Sequence, residues 1–261
     1  MAYHPGVNEN VIAQIENELL RYCGPIFVTP SPNSYPDNKT IKNGTYALID
    51  TGQKRLLVTC YHVWEYYETQ FDVNPETVLA LALNEGEPCI AFRNPKERRL
   101  AFDRELDLAV FEFAPDFCHS KSWFRMTEHP APKVEKGECI VTMCFPGICR
   151  TVSGTVCNFN GVAMPLVVTD ISDRTIAAFS DKENQSVLSD MKDSLAGISG
   201  SPAYRLADNG QLQLVGFAKQ GPLESDSPHR TYEPALESPL PAVFFTHASF
   251  LMQDGKLHRH F

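Results

Sequence analysis

The chain has 261 residues, 43% of them apolar, enough to bury an ordinary core in one domain or two tightly packed halves, and this excludes general disorder. Its 23 basic residues against 32 acidic ones leave a formal net charge of −9, so no electrostatic footprint for nucleic acid or an anionic membrane is visible and the expected partners are proteins or peptides. No apolar run reaches membrane length, and Met1-Ala2-Tyr3-His4-Pro5 lacks the pattern of an export signal, so a cytoplasmic location without membrane contact and reduced cysteines are expected.

In chain order, Val11, Ile12, Ile15, Leu19 and Tyr22 recur at helical spacing over residues 8–22, with Asn8 or Asn10 to cap the start and Gly24-Pro25 to close the end. This amphipathic helix is expected to pack against the outside of the following domain; docking of a partner is the sharper alternative. Ile26 to Thr29 reads as a short strand, followed by a loop rich in proline and asparagine. Gly44 to Asp50, a turn at Thr51-Gly52, and Arg55 to Cys60 read as a hairpin that runs into His62. Trp64, Tyr66 and Tyr67 then suit a short helix covering the end of a barrel, or a substrate wall.

Further strands are expected at Val78 to Leu83, Cys89 to Phe92 and Leu108 to Phe113, and Pro130-Ala131-Pro132 reads as a crossing between halves. Cys139 to Cys144 forms the next strand, followed by Val152 to Phe159, Pro165 to Thr169, Thr175 to Phe179, Leu212 to Phe217 and Val243 to Thr246. Pro222 to Pro241, polar and proline-rich, is expected to be a long surface loop. Cys139, Cys144, Cys149 and Cys157 are close in sequence, but their odd spacing would turn neighbours on one strand to opposite sides, so they read as small buried hydrophobes rather than metal ligands. His4, His119, His129, His229, His247, His258 and His260 lie away from any motif and are expected to be exposed.

Three stretches carry chemistry. In Gly197-Ile198-Ser199-Gly200-Ser201-Pro202 the glycines allow a tight turn on which a serine hydroxyl projects forward and backbone N–H groups converge, the arrangement acyl transfer requires. Such a serine needs a histidine base and a carboxylate to fix the base's tautomer. Val58-Thr59-Cys60-Tyr61-His62-Val63 supplies the first, and Asp107-Leu108-Ala109-Val110 the second. Asp103 is the rival carboxylate; Asp107 is preferred because an apolar strand follows it, whereas Asp103 reads as solvated beside Arg104 and Glu105.

In residue type and in the order His, Asp, Ser, these stretches resemble the signature motifs of trypsin/chymotrypsin-like serine proteases, from about Gly44 to about Thr246; Phe145-Pro146-Gly147 after its strand resembles the HtrA-type bacterial branch. The resemblance implies an all-β fold of two six-stranded antiparallel barrels: residues 1–23 as a helical extension, 24–130 as the first barrel with His62 and Asp107, and 131–261 as the second barrel with Ser199 and the tail. It implies a serine endopeptidase in which Ser199 attacks a peptide carbonyl, His62 moves the proton, Asp107 orients His62, and the N–H groups of Gly197 and Ser199 form the oxyanion hole. No metal or organic cofactor is implied.

Two departures from that family bear on control and specificity. Ile198 stands where secreted members carry the aspartate that latches a new N-terminus, so control is expected to come from elsewhere, for instance a regulatory protein partner. Lys219, in Phe217-Ala218-Lys219-Gln220-Gly221, stands beside the primary pocket where the family usually has a small residue. Asp193 lies six residues before Ser199 (199 − 193 = 6), where trypsins hold the aspartate that selects Lys or Arg; the resemblance makes Asp193, Lys219 and Gly221 the expected substrate-binding residues, with a solvated loop aspartate the alternative for Asp193. A catalytically silent protease-like interaction module and an esterase using the same triad are the alternatives.

Overall fold

The computed structural model describes residues 9–31, 42–83, 89–113, 121–153, 156–179, 197–219 and 243–258. Strands Cys23–Thr29 (β1), Asn43–Asp50 (β2) and Arg55–Thr59 (β3) start an antiparallel sheet. The β2–β3 turn is set by its own side chains: Asp50 Oδ1 accepts the Gly52 N–H at 2.7 Å, and Gly52 has φ +86°. After helix Tyr61–Val73 (α2) come Val78–Leu81 (β4), Ile90–Ala91 (β5), a short helix Pro95–Arg98 (α3), Arg99–Asp103 (β6), Leu108–Glu112 (β7) and Phe124–Arg125 (β8). The sheet runs in the order β5-β4-β1-β2-β3-β7-β6, with β8 added parallel to β2.

The second half is a closed six-stranded barrel. Its order is Val162–Ile171 (β12), Thr175–Phe179 (β13), Val243–His247 (β16), Leu212–Lys219 (β15), Pro202–Leu206 (β14) and Cys139–Cys144 (β9), which pairs back onto β12. Arg150–Ser153 (β10) and Val156–Phe159 (β11) form a separate hairpin. A curled antiparallel sheet beside a closed barrel is the chymotrypsin-type double-barrel arrangement expected, with the first sheet following an open path of seven strands among the described residues.

Strand alternation sorts the core. On β2, Tyr46 and Leu48 turn into the interior of the first half with Leu57, Trp64 and Phe111, while Ala47 and Ile49 turn towards the junction, where they join Val58, Val110, Tyr204 and Phe217. Ile140, Leu166, Ile176, Val215 and Phe245 fill the closed barrel. Helix Glu9–Leu19 (α1) delivers Leu19 into the junction core, and Ile15 and Leu20 pack on that core, so the described part of the stripe has the packing role. Trp64 and Tyr67 of α2 are buried as well.

Several local expectations change. Gly24 and Pro25 lie inside β1 instead of closing the helix, and Pro25 still serves the ladder by accepting the Ala82 N–H at 3.0 Å. Val152 to Phe159 is divided between the two strands of a hairpin. Strands β6, β8 and β14 carry little sequence signal of their own: β6 begins in a charged run, β8 has two residues, and β14 directly follows the serine loop. His247 is buried, with Nε2 2.9 Å from the Ser172 carbonyl. The Pro222 to Pro241 segment, Cys118, His4, His119, His229 and His260 lie outside the described residues. Among the described residues no helix is long and apolar enough to cross a membrane.

Candidate active site

His62 sits in the first turn of α2, directly after β3, so the strand fixes its main chain and the helix its side-chain direction. Asp107 ends the turn that joins β6 to β7 and holds φ +53°, a left-handed conformation uncommon outside glycine and best tolerated by Asn and Asp. The two meet closely. Asp107 Oδ1 accepts the His62 main-chain N–H at 3.0 Å, and Nδ1 of the ring lies 2.8 Å from Oδ2 and 3.0 Å from Oδ1. This assigns the Nδ1–H tautomer and turns Nε2 out as the acceptor. The carboxylate side chain is 14% exposed and the imidazole 33%, so the carboxylate is the more buried of the two.

Asp103 is itself buried, at 2% exposure, in contrast to the solvated position expected. Its Oδ1 accepts the N–H groups of Glu105 at 2.9 Å and Leu106 at 3.1 Å, so the turn's own amides offset the loss of water around it. Asp103 shapes the turn and Asp107 faces the histidine. The turn is also docked on the second barrel: Leu106 O accepts from Thr246 Oγ1, and Glu105 pairs with Arg174 at 2.6 Å.

The serine loop crosses to the first half. Thr45 N–H donates to Ser199 O at 2.7 Å and Thr45 Oγ1 to Gly197 O at 2.8 Å, while Thr59 Oγ1 donates to Thr45 O at 2.8 Å. Thr45 thus clamps the loop on both sides of Ile198, a role the Gly44-Thr45 motif marked only by its place before the hairpin. Gly200 has φ +89°, and a Cβ there would lie 2.2 Å from Thr45 O and 3.1 Å from Cys60 N, so the loop comes within two residues of His62 because this position lacks a side chain. Gly197, at φ +104°, is equally constrained by Phe145 O. Ser199 is partly exposed. Among the described residues Ser199 Oγ makes no hydrogen bond to His62; such contacts commonly tighten only on the substrate. Asp193 and Gly221 lie outside the described residues.

Lys219, the end of β15, is half-buried, and its Nζ donates to Thr175 Oγ1 at 2.8 Å. Burial lowers its ammonium pKa, while Asp107 and Cys60 raise it and Arg174 lowers it. Cys60 is fully buried and donates Sγ–H to Ala218 O at 3.0 Å; burial, then Asp107, pushes its thiol well up, so it remains neutral.

Donor atoms of Cys60, His62 and Asp107 lie within 4.8 Å of one another. Two ligands of one tetrahedral zinc sit about 3.3 Å apart, and the 2.8 Å His62–Asp107 contact is shorter, as a hydrogen bond is. Among the described residues no such cluster joins Cys139, Cys144, Cys149 or Cys157.

No family model matches the chain, and neither does any curated protein. Among solved structures it is similar to Deg5, with 12% identity over 83% of this chain and 88% of that one and a TM-score of 0.48. It is also similar to a thermostable serine protease, AL20, from an extremophilic microorganism, at 13% identity over 87% and 90% with a TM-score of 0.44. A scabies mite inactivated protease paralogue, S-D1, shares 10% identity over 90% of each chain with a TM-score of 0.48. The fold is a double barrel of the chymotrypsin type, on the closed barrel and the curled sheet described above.

Proposed function

We propose that the chain is a serine endopeptidase in which Ser199 is the nucleophile, His62 the general base and acid, and Asp107 the group that orients His62. The observation that carries this reading is the double contact of Asp107 with the main chain and ring of His62, beside a glycine-flanked serine loop clamped against the same strand pair. The sequence of events follows from those positions. His62 Nε2 takes the Ser199 hydroxyl proton as Oγ attacks a peptide carbonyl, Asp107 stabilises the resulting imidazolium, and the proton returns to the leaving amine. Gly200 and Ser201 spend their N–H groups on Ala218 O at 2.7 Å and Ile198 O at 2.9 Å. The N–H groups of Gly197 and Ser199 are assigned to the oxyanion, and no cofactor takes part. Protein or peptide substrates follow from this chemistry, and preference for Lys or Arg before the scissile bond rests on Asp193.

The test is labelling with a fluorophosphonate together with turnover of matched peptides ending in Arg, Leu or Glu before the cleaved bond. Wild-type protein is expected to be labelled and to cleave, and Ser199→Ala to do neither, with a loss on the order of 10⁶ in turnover. Absence of labelling in the wild type would make it a silent module; turnover of esters alone would make it an esterase. Equal turnover of the three peptides would remove the basic preference.

A further inference from the structure

The turn that carries Asp107 rests on the rim of the second barrel. Leu106 accepts from Thr246 and Glu105 pairs with Arg174, while Thr246 faces Thr175 across the β13–β16 pair. Lys219 reaches this rim from β15, and its Nζ is fixed on Thr175 Oγ1. From the other side Cys60 bridges to the residue before Lys219, through Ala218 O, and its Sγ lies within 4.8 Å of the Asp107 carboxylate. Lys219 and Asp107 are therefore each anchored where the two halves meet, Lys219 through Thr175 and the Cys60–Ala218 contact beside it and Asp107 through the neighbouring Leu106, and Asp107 favours the charged ammonium.

Among the described residues, other charged groups around this junction have partners of their own, while Lys133 and Asp173 act on the neighbouring His247. Arg104 pairs with Glu65 at 3.1 Å and hydrogen-bonds Tyr61, Arg174 pairs with Glu105, and Cys60 is neutral. Lys219, by contrast, is bonded to a hydroxyl, which leaves its positive charge uncompensated by that contact.

We propose that Lys219 is a positioning residue of the triad: a fixed, half-buried cation that holds Asp107 ionised and directed at His62, and that offsets part of the carboxylate's pull on the imidazolium. The inference rests on the His62–Asp107–Ser199 reading. Its sign is definite. Removing a cation beside the pair favours the charged imidazole, so Lys219→Met draws the proton onto the ring earlier as pH falls.

The experiment has two arms. In the first, the acid limb of the kcat/KM profile is measured for wild type, Lys219→Met, Lys219→Arg and Thr175→Val. Lys219→Met is expected to move that limb up by about 0.5–1 pH unit, Lys219→Arg to leave it near the wild-type position, and Thr175→Val to move it in the same direction by less. In the second, the His62 ring resonances are followed against pH in the Ser199→Ala protein with and without Lys219→Met, which needs no activity; the same upward movement is expected. An unmoved midpoint in a folded Lys219→Met protein overturns the role, as does a downward one. Lys219→Gln, closer in shape and polarity, gives the same reading if the methionine variant does not fold. Wild-type protein that cleaves nothing while the ring midpoint still moves would sink the proposed function and leave the electrostatic role standing.

Discussion

Asp107 holds His62 at two places: Oδ1 accepts the main-chain N–H at 3.0 Å, and Oδ2 lies 2.8 Å from ring Nδ1. One carboxylate therefore sets where the helix starts and which way the imidazole faces. Asp107→Asn is expected to lower turnover about 10⁴-fold, because the amide cannot stabilise the imidazolium and favours the wrong tautomer. Stability should change little, since asparagine is at ease at φ +53°. Asp107→Ala should lose the same activity and also about 1–2 kcal/mol of stability, from a left-handed alanine. Turnover and denaturant unfolding on the two variants check this; equal unfolding midpoints would contradict it.

Gly200→Ala should damage the fold as well as the site. The added Cβ would stand 2.2 Å from the Thr45 carbonyl and 2.8 Å from Thr59 Oγ1, and a main-chain oxygen in a sheet cannot swing away. A loss of about 3 kcal/mol is expected. Gly210→Ala is the control: it shares the positive φ, at +80°, but has nothing within 4 Å of its Cβ, so only about 1 kcal/mol should be lost. Comparable losses at the two positions would show that backbone strain, not the close approach to Thr45, governs Gly200.

The buried Asp103 separates shaping the turn from chemistry. Asp103→Ala would leave the Glu105 and Leu106 amides without their acceptor and is expected to cost about 1–3 kcal/mol. Because the turn then loses its hold on Asp107, activity should fall too, but by far less than in Asp107→Asn. Unfolding and turnover on the same preparation decide; an activity loss equal to that of Asp107→Asn would make Asp103 the orienting carboxylate.

The contact between His62 and Asp107, and the serine loop beside them, were legible because each of these stretches has a strong local pattern: an apolar strand into histidine, aspartate into an apolar strand, serine between glycines. Their supports were not legible for a physical reason. Thr45 is identified by hydrogen bonds to Gly197 and Ser199, about 150 residues away in sequence, and threonine in a strand is equally at home with no such bond. Asp103 beside Arg104 and Glu105 looks solvated until the chain folds back and its own turn amides replace the water. The strands after Pro202 and Arg99 are set by pairing with β9, β15 and β7, partners that periodicity within five residues cannot reveal. Lys219 is expected beside the primary pocket from the resemblance of its stretch to the family's substrate-pairing strand, and its bond to Thr175, 44 residues away, is a tertiary contact that no local pattern reveals.

His247 closes β16 at 5% exposure, and its Nε2–H donates to Ser172 O at 2.9 Å. Burial lowers its pKa below the ordinary value; the Ser172 carbonyl raises it, Lys133 and Lys219 lower it, and Asp173 raises it. The unfolded chain, with histidine near 6.5, therefore binds this proton more readily than the folded one. The stability linked to His247 is fully present above about pH 6.5 and is lost progressively as pH falls through the lower folded value, with a limiting slope of about 1.4 kcal/mol per pH unit. His247→Gln keeps a donor but cannot titrate, so it should flatten this part of the stability curve, whatever its cost at neutral pH. Denaturant unfolding of both proteins between pH 7 and pH 5 provides the measurement. Parallel curves would mean that His247 accepts its proton without disturbing the strand, and the buried neutral imidazole would be excluded as a source of acid sensitivity.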